Sequence, residues 1–232
     1  MAFDTQIKDC QTFGGCSLIG DERGDENIAL HSMHTLWVRE HNRVAVELKK
    51  LNPFWKGDHI YNIARKIVGA EYQHIVYREW LPKIVQLPNY YGYNRYVDPA
   101  IINSFAAAAF RFGHSLIPNA FSQVDMSYNK VREDILLQKA FFNTDYIHKY
   151  GIEGTLMGLC ANQSNEVNME LSDGIARKLF IPFGKAGYDD LAARNIQRGR
   201  DHGIYVYGMW RQRCGLPAVS YTHLTLPTIC SV

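Results

Sequence analysis

The sequence lacks the short motifs that would assign it at once to a common enzyme or metal-binding class. Its five cysteines form no C-x-x-C pair, which argues against a zinc ribbon or a thioredoxin-like redox motif. It has no H-E-x-x-H zincin motif, no G-x-S-x-G nucleophile elbow, no P-loop and no dinucleotide fingerprint. The redox compartment stays open, because an odd cysteine count at wide spacing fits free thiols or an incomplete disulfide set.

Charge of one sign and long apolar runs are also scarce. The 25 basic and 23 acidic side chains are spread along the 232 residues and leave a formal net charge of +2, so nucleic acid is not an expected partner. No apolar run approaches the roughly 18 residues that cross a bilayer, and the N-terminal residues lack the apolar middle of a signal peptide. With 47% apolar residues, the chain is instead typical of a globular protein.

Apolar residues at helical spacing predict a mainly α fold, and no segment shows sustained period-two alternation. One long helix is expected over residues 25–51 and a second from about 58 to 81. Asp98 as a cap and Pro99 at the first helical position predict a third helix that runs toward Pro118. No linker or repeat divides the chain, so we expect one domain or part of one. Shorter helices are expected at residues 130–149, 153–161, 171–180 and 186–213.

The third helix contains an unusual stretch, AAAAFRFGHSL at residues 106–116. Short alanine side chains let a flat cofactor approach a helix, and His114 could then ligate a metal at the cofactor's centre, as in haem. Arg111, on the same predicted face, could bind a carboxylate at the cofactor's edge. The alternative is a helix packed tightly on a neighbour, with a core histidine bonded to a carbonyl. A stretch this short does not decide between them.

Two further clusters concentrate polar residues. GDERGDEN, residues 20–27, places Arg23 and Glu26 just before the first long helix, as a solvated charge cluster or as a functional site. NIQRGRDHG, residues 195–203, is interpreted either as a buried polar network or as a helix-capping region.

Three histidines on the first helix, His31, His34 and His41, have to be weighed as metal ligands. No third ligand with zinc spacing accompanies them, and two lie on the apolar stripe of the helix. We therefore expect hydrogen-bonded core histidines rather than a metal site.

Taken together and in this order, these stretches resemble the animal haem peroxidase family. The resemblance reaches to about Pro217. It implies a mainly α, haem-binding oxidoreductase that reduces hydrogen peroxide and oxidises donors such as halides, phenols or tyrosine. It is carried by GDERGDENIALHSMHTLWVREHNRVA, NPFWKGDHIYNIARKIVGAEYQHIVYREWLP, YVDPAIINSFAAAAFRFGHSLI and NIQRGRDHGIYVYGMWRQRCGLP.

The resemblance implies a role for each polar residue near the cofactor, a haem of b type. His114 corresponds to the proximal ligand of the haem iron, and Asn195 to the residue that orients its other ring nitrogen. Arg111 and Arg198 resemble residues that hold or flank the haem propionates.

On the opposite face of the haem, Arg23 matches the family's distal arginine, which stabilises negative charge as the O–O bond of peroxide breaks. Glu26 matches the carboxylate that forms an ester with a haem methyl group in mammalian members. Asn27 stands where one member carries a haem-linked methionine, so a sulfonium bond is excluded here.

The sequence also departs from the family pattern. The distal histidine, a calcium-binding aspartate and a second ester-forming carboxylate lie upstream of GDERGDEN in the family, and only 22 residues precede Arg23 here. The resemblance therefore implies that residues 1–218 are the C-terminal part of a peroxidase domain, inactive without its N-terminal half and without the calcium ligands. Residues 219–232 look like a translated sequencing adapter rather than native protein.

The family also implies a secreted protein, and the sequon Asn162-Gln163-Ser164 would be glycosylated only in that setting. Two alternatives remain. A haem-dependent fatty-acid dioxygenase would carry a radical-forming tyrosine near the proximal histidine, where this sequence has Phe110. A non-catalytic adhesion or matrix domain would have no need of Arg23, His114 and Asn195.

Overall fold

The structure, a computed structural model, describes residues 3–4, 16–180 and 189–217. The predicted adapter-like tail at 219–232 lies outside the described residues, as do Cys10 and Cys230. Within the described ranges, no helix combines the length and the apolar character needed to cross a membrane.

Two long helices form the first half of the described chain, as predicted. The first, α1, spans Ile28–Leu51. It begins three residues later than expected, because the Asn27 side chain accepts two backbone N–H bonds of the first turn and so acts as the N-cap. The second, α2, spans Gly57–His74 and continues as a π-helix over Ile75–Trp80 and a short 3-10 turn over Leu81–Lys83.

Aromatic contacts hold α1 and α2 together as an antiparallel pair. Trp37 meets Tyr72 edge to face, with ring centroids 5.2 Å apart. His41 lies 5.2 Å from the ring of Tyr61. Since residues later in α1 meet residues earlier in α2, the two helices run in opposite directions.

The predicted third helix is shorter and differently built. Asp98 does not cap a helix; its side chain accepts the N–H of Ala100 in a local turn, which competes with helix formation. The helix α3 spans only Asn103–Ala107 and is broken at Ala108, where φ is −135° and ψ is −69°. A 3-10 helix over Ala109–Leu116 follows, which is longer than such helices usually are.

The predicted helix at 130–149 is wrong in its first part. Strands β3, Ala120–Val124, and β4, Lys130–Leu136, pair there as an antiparallel hairpin. The helix-favouring residues of β4 are overridden by this pairing, because propensity is a weak preference that tertiary contacts exceed. The helical remainder consists of α4, Leu137–Ala140, and α5, Thr144–Tyr150. A second small antiparallel pair joins β1 and β2, Phe3–Asp4 and Cys16–Ser17.

Among the later helices, α6 at Glu153–Ala161 matches its prediction. The next, α7, covers only Asp173–Ala176 of the predicted 171–180. The long helix predicted at 186–213 is divided into α8 and α9, because Gly203 adopts a φ of +59° between them. Their bounds are Leu191–Asp201 and Tyr207–Arg213.

The order of elements confirms the mainly α architecture. The principal core lies between the start of α1, the β3–β4 hairpin and the helices that follow the hairpin. Phe141 and Ile28 are its largest fully buried side chains, and Phe141 packs edge to face on Phe180 with 5.2 Å between ring centroids. The other buried members are Phe121, Ile135, Leu137, Ala140, Ile147, Ile152, Ile175 and Leu179.

Candidate functional site

The central contact of the site joins His114 and Asn195, which are 81 positions apart. Asn195 Nδ2 lies 2.9 Å from His114 Nδ1. The other amide atom, Asn195 Oδ1, is buried and has no hydrogen-bond partner among the described residues. A half turn of the amide would bring Oδ1 to the imidazole instead, where it accepts the Nδ1–H proton. That arrangement leaves the His114 Nε2 lone pair available to a metal.

Arg111 lies near the imidazole, and Arg198 lies near Arg111. Burial lowers the pKa of His114, and the positive charge of Arg111 lowers it further. The pKa of Arg111 is itself lowered by burial and then by the charge of Arg198. The site therefore combines a neutral imidazole with two cations, which suits a ligand that carries carboxylates.

The four alanines that precede Phe110 differ in burial. Ala107 is buried, whereas Ala106, Ala108 and Ala109 are exposed. The Arg111 Nε–H donates to the Ala107 carbonyl over 3.1 Å, which holds the guanidinium along the helix. The exposed alanines thus form a surface of short side chains before Arg111, which a flat cofactor could approach.

The helix α8 and the residue after it contact this segment at two points, Asn195 on His114 and His202 on Asn103. Its N-terminus is capped by Asp190, whose side chain accepts the N–H groups of the first turn. Beyond its C-terminus, His202 Nδ1 lies 2.7 Å from Asn103 Oδ1, and Asn103 Nδ2 donates to the His202 carbonyl. Of the two interpretations of residues 195–203, the structure favours the helix-capping region, since Arg200, Asp201 and His202 are exposed.

Arg23 lies in a 3-10 turn, Glu22–Asp25, immediately before α1. Its guanidinium is exposed and donates to both carboxylate oxygens of Asp21, over 2.9 and 2.6 Å. These hydrogen bonds hold the pKa of Asp21 well below its usual range. Arg23 would have to leave this carboxylate before it could contact a ligand.

Glu26 is half-buried next to the same turn. Burial raises its pKa, while the charges of Arg23 and Arg194 act in the opposite direction. Arg194, on α8, is held by a bidentate contact with Asp189. Its neighbour Asn195 contacts His114, so α8 connects the environment of Glu26 to that of the imidazole.

Of the three histidines on α1, only His31 meets the expectation of a hydrogen-bonded core residue. Its Nδ1 lies 2.7 Å from Asp25 Oδ1, and both side chains are 4% exposed. Ser17 approaches the same ring nitrogen, at 3.4 Å, rather than the other one. The three side chains therefore do not form a Ser–His–Asp catalytic triad, which needs both ring nitrogens.

The other two histidines do not meet the expectation of a hydrogen-bonded core residue. His34 and His41 are only half-buried. His41 Nε2 is enclosed and has no hydrogen-bond partner among the described residues.

Sequence reasoning missed Asp25 and Arg194. Nothing in the spacing of Asp25 distinguishes it from the exposed acidic residues around it. Arg194 precedes the NIQRGRDHG motif and carries no motif of its own, so its proximity to Glu26 depends on the packing of α8.

Comparison with known proteins supports the resemblance. The family model described as animal haem peroxidase matches residues 1–227. The human peroxidasin homolog is 46% identical over 213 residues, which cover 88% of this chain and 14% of that protein. Human myeloperoxidase is 44% identical over 214 residues, covering 87% of this chain and 28% of that protein.

A solved structure, peroxidase A from Dictyostelium discoideum, superposes with a TM-score of 0.80 at 33% sequence identity. The match covers 87% of this chain and 39% of that one, so the chain spans well under half of the relatives it matches. The chain belongs to the animal haem peroxidase family, whose cofactor is haem and whose named members are peroxidases.

Proposed function

We propose that this chain is the part of a haem peroxidase domain that carries the proximal ligand of a b-type haem. The observation that supports the proposal most directly is the contact between Asn195 and the His114 ring, at 2.9 Å. An axial histidine whose second nitrogen is held by a fixed partner keeps one tautomer and gains basicity as a ligand. Haem, when bound, supplies the iron at which peroxide is reduced and the donor is oxidised.

Arg111 and Arg198 are assigned to the haem propionates. Burial lowers the pKa of Arg111 and repulsion by Arg198 lowers it further, and carboxylates bound beside the two guanidinium groups would relieve that repulsion. Burial, and then the charge of Arg111, favour the neutral imidazole of His114, which is the form that binds a metal.

Arg23 is assigned to the distal side, where its permanent charge would stabilise negative charge on a peroxide oxygen. To do so it exchanges its exposed contact with Asp21 for one with peroxide. Glu26 is assigned to an ester with a haem methyl group. Burial raises the pKa of Glu26, which makes the uncharged carboxyl easier to hold against an apolar ring edge.

The activity of the whole protein is part of the same proposal. The full domain would reduce hydrogen peroxide and oxidise halide, phenol or tyrosine donors, with the proton-transferring histidine and the calcium ligands on the remaining part of the domain. We also propose secretion, with glycosylation at the exposed Asn162. Residues 1–218 are assigned to the domain and 219–232 to a non-native tail.

The proposal is tested by haem titration of the chain and of His114→Ala. We expect the chain to give a Soret band that the variant loses, because no axial ligand replaces the imidazole. His59→Ala, at an exposed histidine that meets Trp55 edge to face, is the matched control and should keep the band. An unchanged Soret band in His114→Ala would exclude His114 as the ligand.

A further inference from the structure

Four of the 14 tyrosines lie within one short loop, at positions 90, 91, 93 and 96. They follow the 3-10 turn that ends at Lys83, in a segment without regular secondary structure. Their exposed fractions are 81%, 91%, 89% and 84%. We call residues 90–96 the tyrosine loop.

The tyrosine loop differs from the other exposed tyrosines of the described chain. Those other tyrosines are between 38% and 60% exposed. In the loop, Gly92 adopts a φ of +101°, which an L side chain rarely adopts, and so allows the chain to turn between the aromatic residues. Aromatic side chains usually bury most of their surface, so four phenols presented to solvent are unusual.

We propose that the tyrosine loop is a site of peroxide-driven phenol oxidation through which two copies of the chain become joined by dityrosine bonds. The proposal rests on the proposed function for one point only, the enzyme that oxidises the phenols. Another peroxidase can take that place, so the loop can be tested separately. High exposure is what this chemistry requires, because two phenols on separate molecules must come into ring contact.

The reaction balances with hydrogen peroxide as the oxidant. Two tyrosine phenols each lose one electron and one proton, and peroxide takes up both pairs as its O–O bond breaks, giving two water molecules. A carbon–carbon bond then joins the two rings, in each ring at a carbon adjacent to the one that bears the oxygen. The hydrogens on those carbons then move to the oxygens, which restores both phenols.

Two arms separate this proposal from the proposed function. In the first, an added plant peroxidase and hydrogen peroxide act on the chain, and covalent dimer is measured by denaturing gel, dityrosine fluorescence and mass spectrometry of tryptic peptides. In the second, the haem-loaded chain receives peroxide alone. Cleavage after Lys83, Arg95 and Arg111 places the loop in peptides 84–95 and 96–111, so the linked residues can be located.

We expect a dimer in the first arm, with the cross-link in those two peptides. Changing all four loop tyrosines to phenylalanine should abolish most of it. The matched control changes Tyr61, Tyr72, Tyr77 and Tyr128 to phenylalanine and should retain it.

A dimer that survives in the loop variant, or no dimer in the first arm, would overturn the proposal. A dimer in the first arm but none in the second would support the loop assignment and would agree with a haem-binding chain that is inactive without the rest of the domain. A dimer in both arms would support the loop assignment and contradict that inactivity.

Discussion

At the residue scale, the site depends on pairs that are distant in sequence. The composition of residues 106–116 led to His114 as a metal ligand, but the choice between a cofactor site and a packed helix needed the family resemblance. The contact with Asn195 and the burial of Asp25 against His31 arise from packing, so no spacing rule could predict them. Arg23 was predicted as a site residue, and its exposed contact with Asp21 was not.

The buried Asp25–His31 pair leads to a stability prediction. Burial alone would raise the pKa of Asp25, but hydrogen bonds from His31 and Ser17 outweigh it and lower the pKa. Asp25→Ala should lower the free energy of unfolding by about 3 kcal/mol, because His31 would then stay buried without the carboxylate that it contacts. Because the folded-state pKa of Asp25 is lowered, its contribution is present above its unfolded pKa and is lost as the pH falls through the folded value.

Urea unfolding of the chain and of Asp25→Ala across a pH series measures this effect. Glu133→Ala removes an exposed ion pair with Lys130 and is the control, with an expected change of about 0–1 kcal/mol. A loss for Asp25→Ala no larger than that of the control, or one that grows toward acid pH, would contradict the account.

The lowered pKa of His114 gives a second prediction. Its imidazole should titrate below the ordinary value of 6.5 in the haem-free chain. Because the unfolded chain then binds this proton more readily than the folded one, the contribution of His114 opposes folding increasingly as the pH falls below 6.5. NMR titration of the ring C–H resonance measures the midpoint.

Arg111→Gln should move that midpoint upward by removing a nearby positive charge. Arg65→Gln, at an exposed position of α2, should leave it unchanged. A midpoint at or above 6.5 in the unaltered chain would show that the ring is neither desolvated nor repelled by Arg111.

At the element scale, long periodic segments were predicted well and short or paired ones were not. The helices α1, α2 and α6 match their predictions because their apolar stripes or Gly and Pro boundaries are local signals. The β3–β4 hairpin was missed, since β4 pairs with a strand before it and its exposed charged residues resemble a helix surface. The 3-10 helix that carries His114 was also predicted as α-helix, because hydrogen-bond register is not visible in sequence.

The packing of α6 on β3 gives a prediction at this scale. A Cβ atom at Gly158 would lie 1.9 Å from the backbone oxygen of Ser122, so the two elements can be this close only with glycine. Gly158→Ala should lower the free energy of unfolding by about 1–3 kcal/mol, because backbone has to move.

Gly69→Ala is the matched control for this effect. Gly69 is exposed in the middle of α2 with nothing near its Cβ position, so alanine there should raise stability by about 0.5–1 kcal/mol. Urea unfolding of the two variants should therefore show changes of opposite sign. Equal effects would mean that helix propensity alone, and not the contact with Ser122, determines the result.

At the scale of the whole molecule, family and fold were accessible from sequence because four separate stretches match in the correct order. The solved Dictyostelium discoideum peroxidase shares the fold with a TM-score of 0.80, although only 33% of the aligned residues are identical. What sequence could not provide is the set of contacts that connects the Arg23 turn to the His114 segment. In the structure α8 links them, with Arg194 near Glu26 and Asn195 on His114.

The central claim is that one haem lies between these two parts of the chain, with iron on His114. An experimental structure of the haem-loaded chain tests it most directly. The account predicts iron bonded to His114 Nε2, Asn195 hydrogen-bonded to Nδ1, and Arg23 over the opposite face of the ring. Iron bound to another residue, or Arg23 and His114 in separate pockets, would contradict it.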